Sequence, residues 1–455
     1  MNPQETSREA WVDTLQERID ALLERNEVRK AQIILQALLP VDQAEIFSDL
    51  DEDEQRQVLQ GLPVEDIADI LEKLEDEEVV EVITWLAPEQ LADVLDEMEP
   101  DEAADLLGDL QPEAASGILQ LMEDSGEILP LLLHPDETAG GLMTSEYIAL
   151  GRQMWAKTAL EAIRAWSPEH EYLYYFVIDK TGTLLGVVSL LQLIKADPKA
   201  EVQDFMDRTL ITAPVDADQE ECAHLMSRYD LTALPVVDAG DRLTGVITID
   251  DIIDVIEEEA TEDIQRLGGS APLAKPYLLT STWEITRSRI VWLLLLFVTG
   301  MITTSVLSYF ENVLQQVVTL SFFIPLLIGT GGNAGSQTTA TVIRALGVGE
   351  VEKKDALKVL WRELRAGLLT GALVAIAGFI RAAVGPQGSV AMGLTIGIAI
   401  GIIVFWSSTI GSLLPLFASL VGADPALISG PLMSTLVDAT GLFIYLSVAQ
   451  WVLGL

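Results

Sequence analysis

The chain has 455 residues, with 70 acids against 27 bases and a formal net charge of −43, which argues against a nucleic-acid partner. A single cysteine, Cys222, leaves no internal disulfide to form, and three scattered histidines without cysteine pairs do not make a zinc site. The charge is unevenly spread: residues 1–279 carry 62 acids and 18 bases, residues 280–455 carry 8 and 9, so the two parts suit different solvents.

The start, MNPQETSREAW, is polar and acidic, unlike a signal peptide. From Leu62 a short unit repeats: LPVEDIADILEKL, LAPEQLADVLDEM, EPDEAADLLGDL, QPEAASGILQLM. Pro88, Pro100 and Pro112 stand twelve residues apart, each placed to open a helix where its missing N–H costs least, with acids beside it at the positive helix end. Residues 1–133 therefore read as an acidic, all-α solenoid domain.

Residues 134–256 carry a second repeat. YFVIDKTGTLLGVVSLLQLI aligns with LPVVDAGDRLTGVITIDDII, so that Asp179 and Asp238, Gly186 and Gly245, and Ser189 and Thr248 all stand 59 apart. Each copy reads as strand, Gly-containing turn, strand, helix. The pair resembles tandem CBS domains, which implies an α/β fold and an adenine nucleotide, such as ATP, held by a Ser/Thr-x-x-Asp ending. The second copy supplies Thr248 and Asp251, whereas the first has Gln192 where the acid is needed.

Residues 257–285 read as a connecting helix. Just before and within it, Asp250 to Asp263 holds eight carboxylates in fourteen residues and no base. Like charges one helical turn apart repel, so either a solvated acidic face or bound cations must make this stretch tolerable. Residues 286–455 are apolar, with spans expected near 290–310, 316–346, 358–383, 390–420 and 427–453, the turn before the fourth falling within 384–389. Arg287 and Arg289 before the first span, and Lys353, Lys354, Lys358, Arg362 and Arg365 between the second and third, put both of those ends inside; Arg381 can snorkel. The acidic half is then cytosolic and the C-terminus outside.

Two features within the spans bear on function. IGTGGNAGSQTTAT (328–341) combines glycines that allow close helix approach with the amides of Asn333 and Gln337, candidates to line a pore. Asp438 lies near the middle of the fifth span, where a carboxylate costs roughly 2.5–3.5 kcal/mol, and no span centre holds a base to pair with it.

Taken together, the acidic helices, ETAGGLMT (137–144), the tandem repeat, EATEDI (259–264), GTGGNAG and LVDATGL resemble the MgtE family of magnesium channels and transporters over the whole chain. The resemblance implies a homodimer in the cell membrane with Asp438 of both subunits at the pore ion site, and regulatory Mg2+ between the cytosolic domains and a plug-type connector. Carried over by local motif, the regulatory positions are Asp69, Asp101, Asp105, Gly141 through its carbonyl, Asp218, Glu220, Ser227, Asp230, Asp251, Asp254, Glu259, Glu262, Asp263 and Asp424. Asp69 often corresponds to Glu in the family and Ser227 to Ala. Another reading makes the chain an ion-coupled divalent-cation exchanger with Asp438 as proton carrier. A third makes the soluble half a nucleotide sensor for a separate transporter, which leaves Asp438 and the amides without a purpose. With no Walker loop or catalytic constellation in the sequence, no enzymatic activity is expected.

Overall fold

The structure, a computed structural model, describes residues 5–74, 76–123, 125–166, 173–273, 277, 280–384 and 388–455. Part of the turn expected within 384–389, and part of the stretch leading to Trp283, fall outside the described residues. The chain divides into two compact units, residues 1–256 and 257–455.

The N-terminal unit opens with helix Glu5–Leu23, followed by Val28–Leu35, Pro40–Ser48, Glu52–Leu59, Val64–Leu71, Asp76–Ile83, Pro88–Glu97, Pro100–Asp109 and Pro112–Leu119. From residue 28 to residue 112 a helix thus begins every twelve residues. The repeat thus extends further back than Leu62, and several of its starts lack the proline that marks the others; Asp51, for example, closes a capping box with Glu54 instead. Helices of eight to ten residues are too short to stand alone. They are held by packing on alternate neighbours: Val64–Leu71 lies on Pro40–Ser48 and Pro88–Glu97, and Asp76–Ile83 on Pro100–Asp109.

Two three-stranded sheets follow. The first has β1 (Ala149–Gly151) parallel to β2 (Tyr174–Ile178), which pairs antiparallel with β3 (Leu184–Ser189); the second repeats this with β4 (Ala213–Pro214), β5 (Ala233–Val237) and β6 (Leu243–Thr248). Val177 opposes Gly186 and Val236 opposes Gly245, with a register shift just after each valine. The turns match too, since Asp179 and Asp238 each accept two backbone N–H groups from their own turn. The left-handed position is Gly182 in the first copy and Asp241 in the second, a residue type that tolerates it. One apolar core runs from the helices, through Phe47, Ile67 and Leu107, to Met226, Ile252 and Val255 of the second repeat. The first repeat builds its own around Leu150, Tyr175 and Val188.

The segment ETAGGLMT joins the second sheet. Ala139 N–H donates to Ala217 O at 2.7 Å, Gly140 N–H to Val215 O at 2.9 Å, and Thr144 pairs with Val246. A Cβ on Gly141 would lie 2.5 Å from the Pro135 carbonyl oxygen and 2.6 Å from Asp136 Cα, backbone that cannot swing aside.

Among the described residues of the C-terminal unit, five helical segments are long and apolar enough to cross a membrane: Thr282–Tyr309, Val318–Gly347, Lys353–Val384, Val390–Val421 and Leu432–Leu453. The first helix begins before the expected 290 because Ser281 and Glu284 form a capping box ahead of the apolar run. Val390–Val421 is the hub, packed on Ala356–Val384, Ile324–Gly347 and Pro425–Leu453. Tyr445 donates its hydroxyl to Leu320 O at 2.8 Å, tying the last helix to the 3-10 turn that opens the second span.

The glycine contacts set a test of the fold. Gly141→Ala should destabilise the cytosolic part by about 1–3 kcal/mol through overpacking. Gly117→Ala, in a helix where a Cβ meets nothing within 4 Å, should be neutral or stabilising. Denaturant titration of the two variants by tryptophan fluorescence checks the contrast, and equal midpoints would refute it.

Candidate functional site

One group of acids lies inside the N-terminal unit. Asp101 occupies the first turn of Pro100–Asp109, where the helix end favours an anion, yet only 6% of it is exposed. Its Oδ1 is buried without a hydrogen-bond partner. Burial pushes its pKa well above the usual carboxylate range, and Asp251, Glu99 and Glu102 push the same way. Glu102 is raised to about 8 by burial; Lys73 opposes, while Glu72, Asp105 and Glu99 add to the rise. Burial pulls Lys73 down, but Glu102, Glu99, Glu72 and Asp254 outweigh it and hold the ammonium charged. Asp69, one turn before Lys73, is half-buried and raised by burial and by Asp66, with Lys73 opposing. The fold thus links Asp69, Asp101, Asp105, Asp251 and Asp254 into one neighbourhood around Lys73 and Glu102.

Thr248 and Asp251, the nucleotide candidates, are already engaged with each other. The Thr248 N–H and hydroxyl donate to Asp251 Oδ2 at 3.2 and 2.7 Å, and the hydroxyl also bonds Asp250. Ser189 and Gln192 make the corresponding helix cap in the first copy. A ribose at Thr248 has to replace those bonds.

The candidates of the second repeat fall into two sets. Asp218 caps helix Gln219–Tyr229, accepting from Glu220 N–H at 2.9 Å, and pairs with Thr138, to whose carbonyl Gly141 N–H returns. Ser227 is in the last turn of that helix, and Asp230 ends it in the left-handed conformation. At about 1.5 Å of rise per residue, Glu220 and Asp230 are roughly 15 Å apart. Gly141, Asp218 and Glu220 therefore cannot share an ion with Ser227 and Asp230.

Another group of acids belongs to the C-terminal unit. Asp424 caps the last helix, its Oδ1 accepting from Ala426 N–H at 2.7 Å, and its Oδ2 takes Arg266 Nη1 at 2.5 Å. Arg266 also pairs with Glu262, one turn earlier on helix Ile249–Leu267. Asp263 is raised to about 6, by burial first, then Asp424 and Glu259, with Arg344 opposing. The basic residues Lys73, Arg266 and Arg344, and the acid Glu102, escaped the sequence reading. Lys73 and Arg266 carried a signal, since each stands four residues after a candidate acid, Asp69 and Glu262.

Among the described residues, no three His, Cys, Asp or Glu side chains converge as a preformed metal cage. Mg2+ does not demand one, because it keeps several waters and takes one or two carboxylates. The unpartnered, buried Oδ1 of Asp101 within an all-oxygen set fits such an ion.

In helix Ile324–Gly347, Gly331 and Gly335 lie on the packed face, whereas the amides of Asn333 and Gln337 lie on the open one. Gly331, Gly335, Thr338, Thr339 and Val342 are buried, whereas Asn333, Ser336, Gln337 and Thr341 are exposed. Gly331 lies against Val437, and Gly335 against Met433. Helices Ile324–Gly347 and Pro425–Leu453 therefore run antiparallel, which sets Asp438 about one turn along from Asn333. Packing accounts for Gly331 and Gly335 and gives no role to the amides.

Comparison with known proteins joins these pieces. The divalent cation transporter family MgtE matches residues 324–448, the MgtE intracellular N domain residues 38–137, and the CBS domain residues 202–258. The magnesium transporter MgtE of Thermus thermophilus is 41% identical over 328 residues, 72% of each chain. This chain belongs to the MgtE family. The Bacillus subtilis magnesium transporter MgtE is 35% identical over 332 residues, again 72% of each. A crystal structure of the cytosolic domain of the Mg2+ channel MgtE in complex with ATP, 34% identical, superposes with a TM-score of 0.50 and covers 53% of this chain and 99% of that one. The soluble MgtE-type domains, the CBS pair and a helical region with five candidate spans are thus all present in this MgtE-family member.

The raised acids give the N-terminal unit of this MgtE protein a pH dependence of definite sign. Glu102 has a folded pKa near 8 against an ordinary 4.5, so its ionisation disfavours the fold. The stability it contributes is complete below the ordinary value and is lost as pH rises through about 8. Without divalent cations, thermal unfolding of the full chain should shift upward between about pH 8.5 and pH 5.5, and Glu102→Gln should flatten that slope. Parallel pH profiles for the variant and the wild type would contradict this assignment.

Proposed function

We propose that this chain is a magnesium channel of the cell membrane, closed by cytosolic Mg2+ and so contributing to magnesium homeostasis. The observation that carries the reading is the exposed polar face of Asn333 and Gln337 on an apolar helix, beside a span whose sole charge is Asp438. A polar face left open by its own protomer suits a water-filled path. Two Asp438 carboxylates, one from each chain of a homodimer, would attract a hydrated Mg2+ without stripping its waters. The N-terminal domains are then cytosolic, as the basic residues around the first three spans imply, and the C-terminus lies outside.

Regulatory Mg2+ would be held by Asp69, Asp101, Asp105, Asp251 and Asp254 in the N-terminal unit. Glu259, Glu262, Asp263 and Asp424 would hold it in the C-terminal unit, with Gly141, Asp218 and Glu220, and separately Ser227 and Asp230, as further candidates. The bound cation supplies positive charge that cancels carboxylate repulsion. The functional division follows as 1–133, 134–256, a connecting helix within 257–285, and the pore domain 286–455. Thr248 and Asp251 are where an adenine nucleotide would bind, a reading supported by the ATP complex of the solved relative.

Asp438→Asn, which keeps shape and removes charge, should lower Mg2+ uptake about tenfold or more, equivalent to at least about 1.4 kcal/mol. Uptake at the wild-type rate would defeat the pore assignment. Closing a channel from 1:99 to 99:1 takes about 5.5 kcal/mol of differential binding, which several modest sites can share. The variant Asp251→Asn, Asp254→Asn, Glu259→Gln, Glu262→Gln should therefore stay open at internal Mg2+ that silences the wild type, read as patch-clamp open probability. Superimposable inhibition curves would rule out this part of the gate.

A further inference from the structure

Resting on that reading of the gate, we propose that Arg266 is a resident cation that latches the connecting helix to the loop before the last helix, and that Mg2+ must displace it to bind Glu262 and Asp424. The geometry leaves little choice of partner. Asp424 Oδ1 is committed to capping the last helix through Ala426 N–H, at 2.7 Å. Its Oδ2 is the oxygen turned to a cation, and Arg266 Nη1 holds it at 2.5 Å. The other terminal nitrogen of the same guanidinium pairs with Glu262. One planar fork thus joins two elements 158 residues apart in sequence.

The three side chains are only 26–28% exposed, so each charge has given up much of its water and needs its partner. Around the fork, Glu259, Glu262, Asp263 and Asp424 face two bases, Arg266 and Arg344. Among the described residues named here, the carboxylates outnumber the guanidiniums, an excess of negative charge that favours a cation. A guanidinium offers no oxygen to a metal, only donors and like charge. Arg266 and Mg2+ therefore compete for the charge of Asp424, each raising the cost of seating the other beside the same carboxylate. The residue sets how much Mg2+ is needed before the cation takes over the site.

Hydrogen exchange across residues 257–267, in the full chain in lipid nanodiscs, tests the proposal independently of conduction. Without Mg2+, Arg266→Gln should exchange about two- to fivefold faster than the wild type, the range of a partly exposed ion pair, and Arg266→Lys, with charge but no fork, should fall between. At saturating Mg2+ the three proteins should coincide, because the cation has replaced the latch. Equal rates for wild type and Arg266→Gln without Mg2+ would overturn the latch. A difference that persists unchanged at saturating Mg2+ would overturn the competition, making Arg266 a permanent packing element. If Mg2+ fails to protect the wild type at all, the gating reading and the competition fall together, while the comparison without Mg2+ still decides the latch.

Discussion

Repulsion between carboxylates governs this molecule. Two unit charges 4 Å apart interact by about 4 kcal/mol at the effective dielectric of a protein surface, several times the worth of an ordinary hydrogen bond. In the N-terminal unit the repelling groups are drawn together by the packing of Pro100–Asp109 into a core shared with the second α/β repeat. In the C-terminal unit they meet because Asp424 caps one helix while Glu262 and Asp263 ride on another. Hydrophobic burial thus forces acids into company that electrostatics disfavours, and the difference is met by Lys73 in one place and by Arg266 with Arg344 in the other. Any mobile cation acts against that background.

Helix Ile249–Leu267 holds the contrast in one element. Its buried residues, Ile252 and Val255, lie in its first half, and beyond them the helix presents Glu257, Glu258, Glu259, Glu262 and Asp263. The boundary between the two compact units falls inside it, at residues 256 and 257. Its acids therefore do not act as one cluster: Asp251 and Asp254 answer to Asp101 and Lys73, whereas Glu262 and Asp263 answer to Arg266 and Asp424. The helix carries an independent charge partner in each unit.

Much of this was legible in the sequence. Prolines twelve apart, the 59-residue repeat and the uncharged apolar runs identify the helical domain, the paired α/β copies and the membrane-type helices, because each reports a local rule of backbone or solvent. The full extent of the helical ladder was not, since its starts at residues 28, 52 and 76 have no proline at the first helical position. The candidate acids were named from their motifs, but their division was hidden, because which acids share a neighbourhood depends on tertiary packing. The distance between Glu220 and Asp230 follows from helix rise once the helix is known to be unbroken, whereas the arrival of Arg266 at Asp424, 158 residues away, has no local signature. Gly331 and Gly335 illustrate the same limit: their stretch announced close packing, and only the structure shows the amides on the other face.

The twelve-residue ladder has a consequence for how such a domain can change length. Because each short helix packs on its second neighbour, successive helices belong alternately to two layers, as Val64–Leu71 on Pro88–Glu97 and Asp76–Ile83 on Pro100–Asp109 illustrate. Adding or deleting one unit would put the helices before it and those after it in reversed layers. Adding or deleting two units restores the layer. The domain therefore has a parity: only a change in steps of 24 residues keeps every helix in the layer it now occupies.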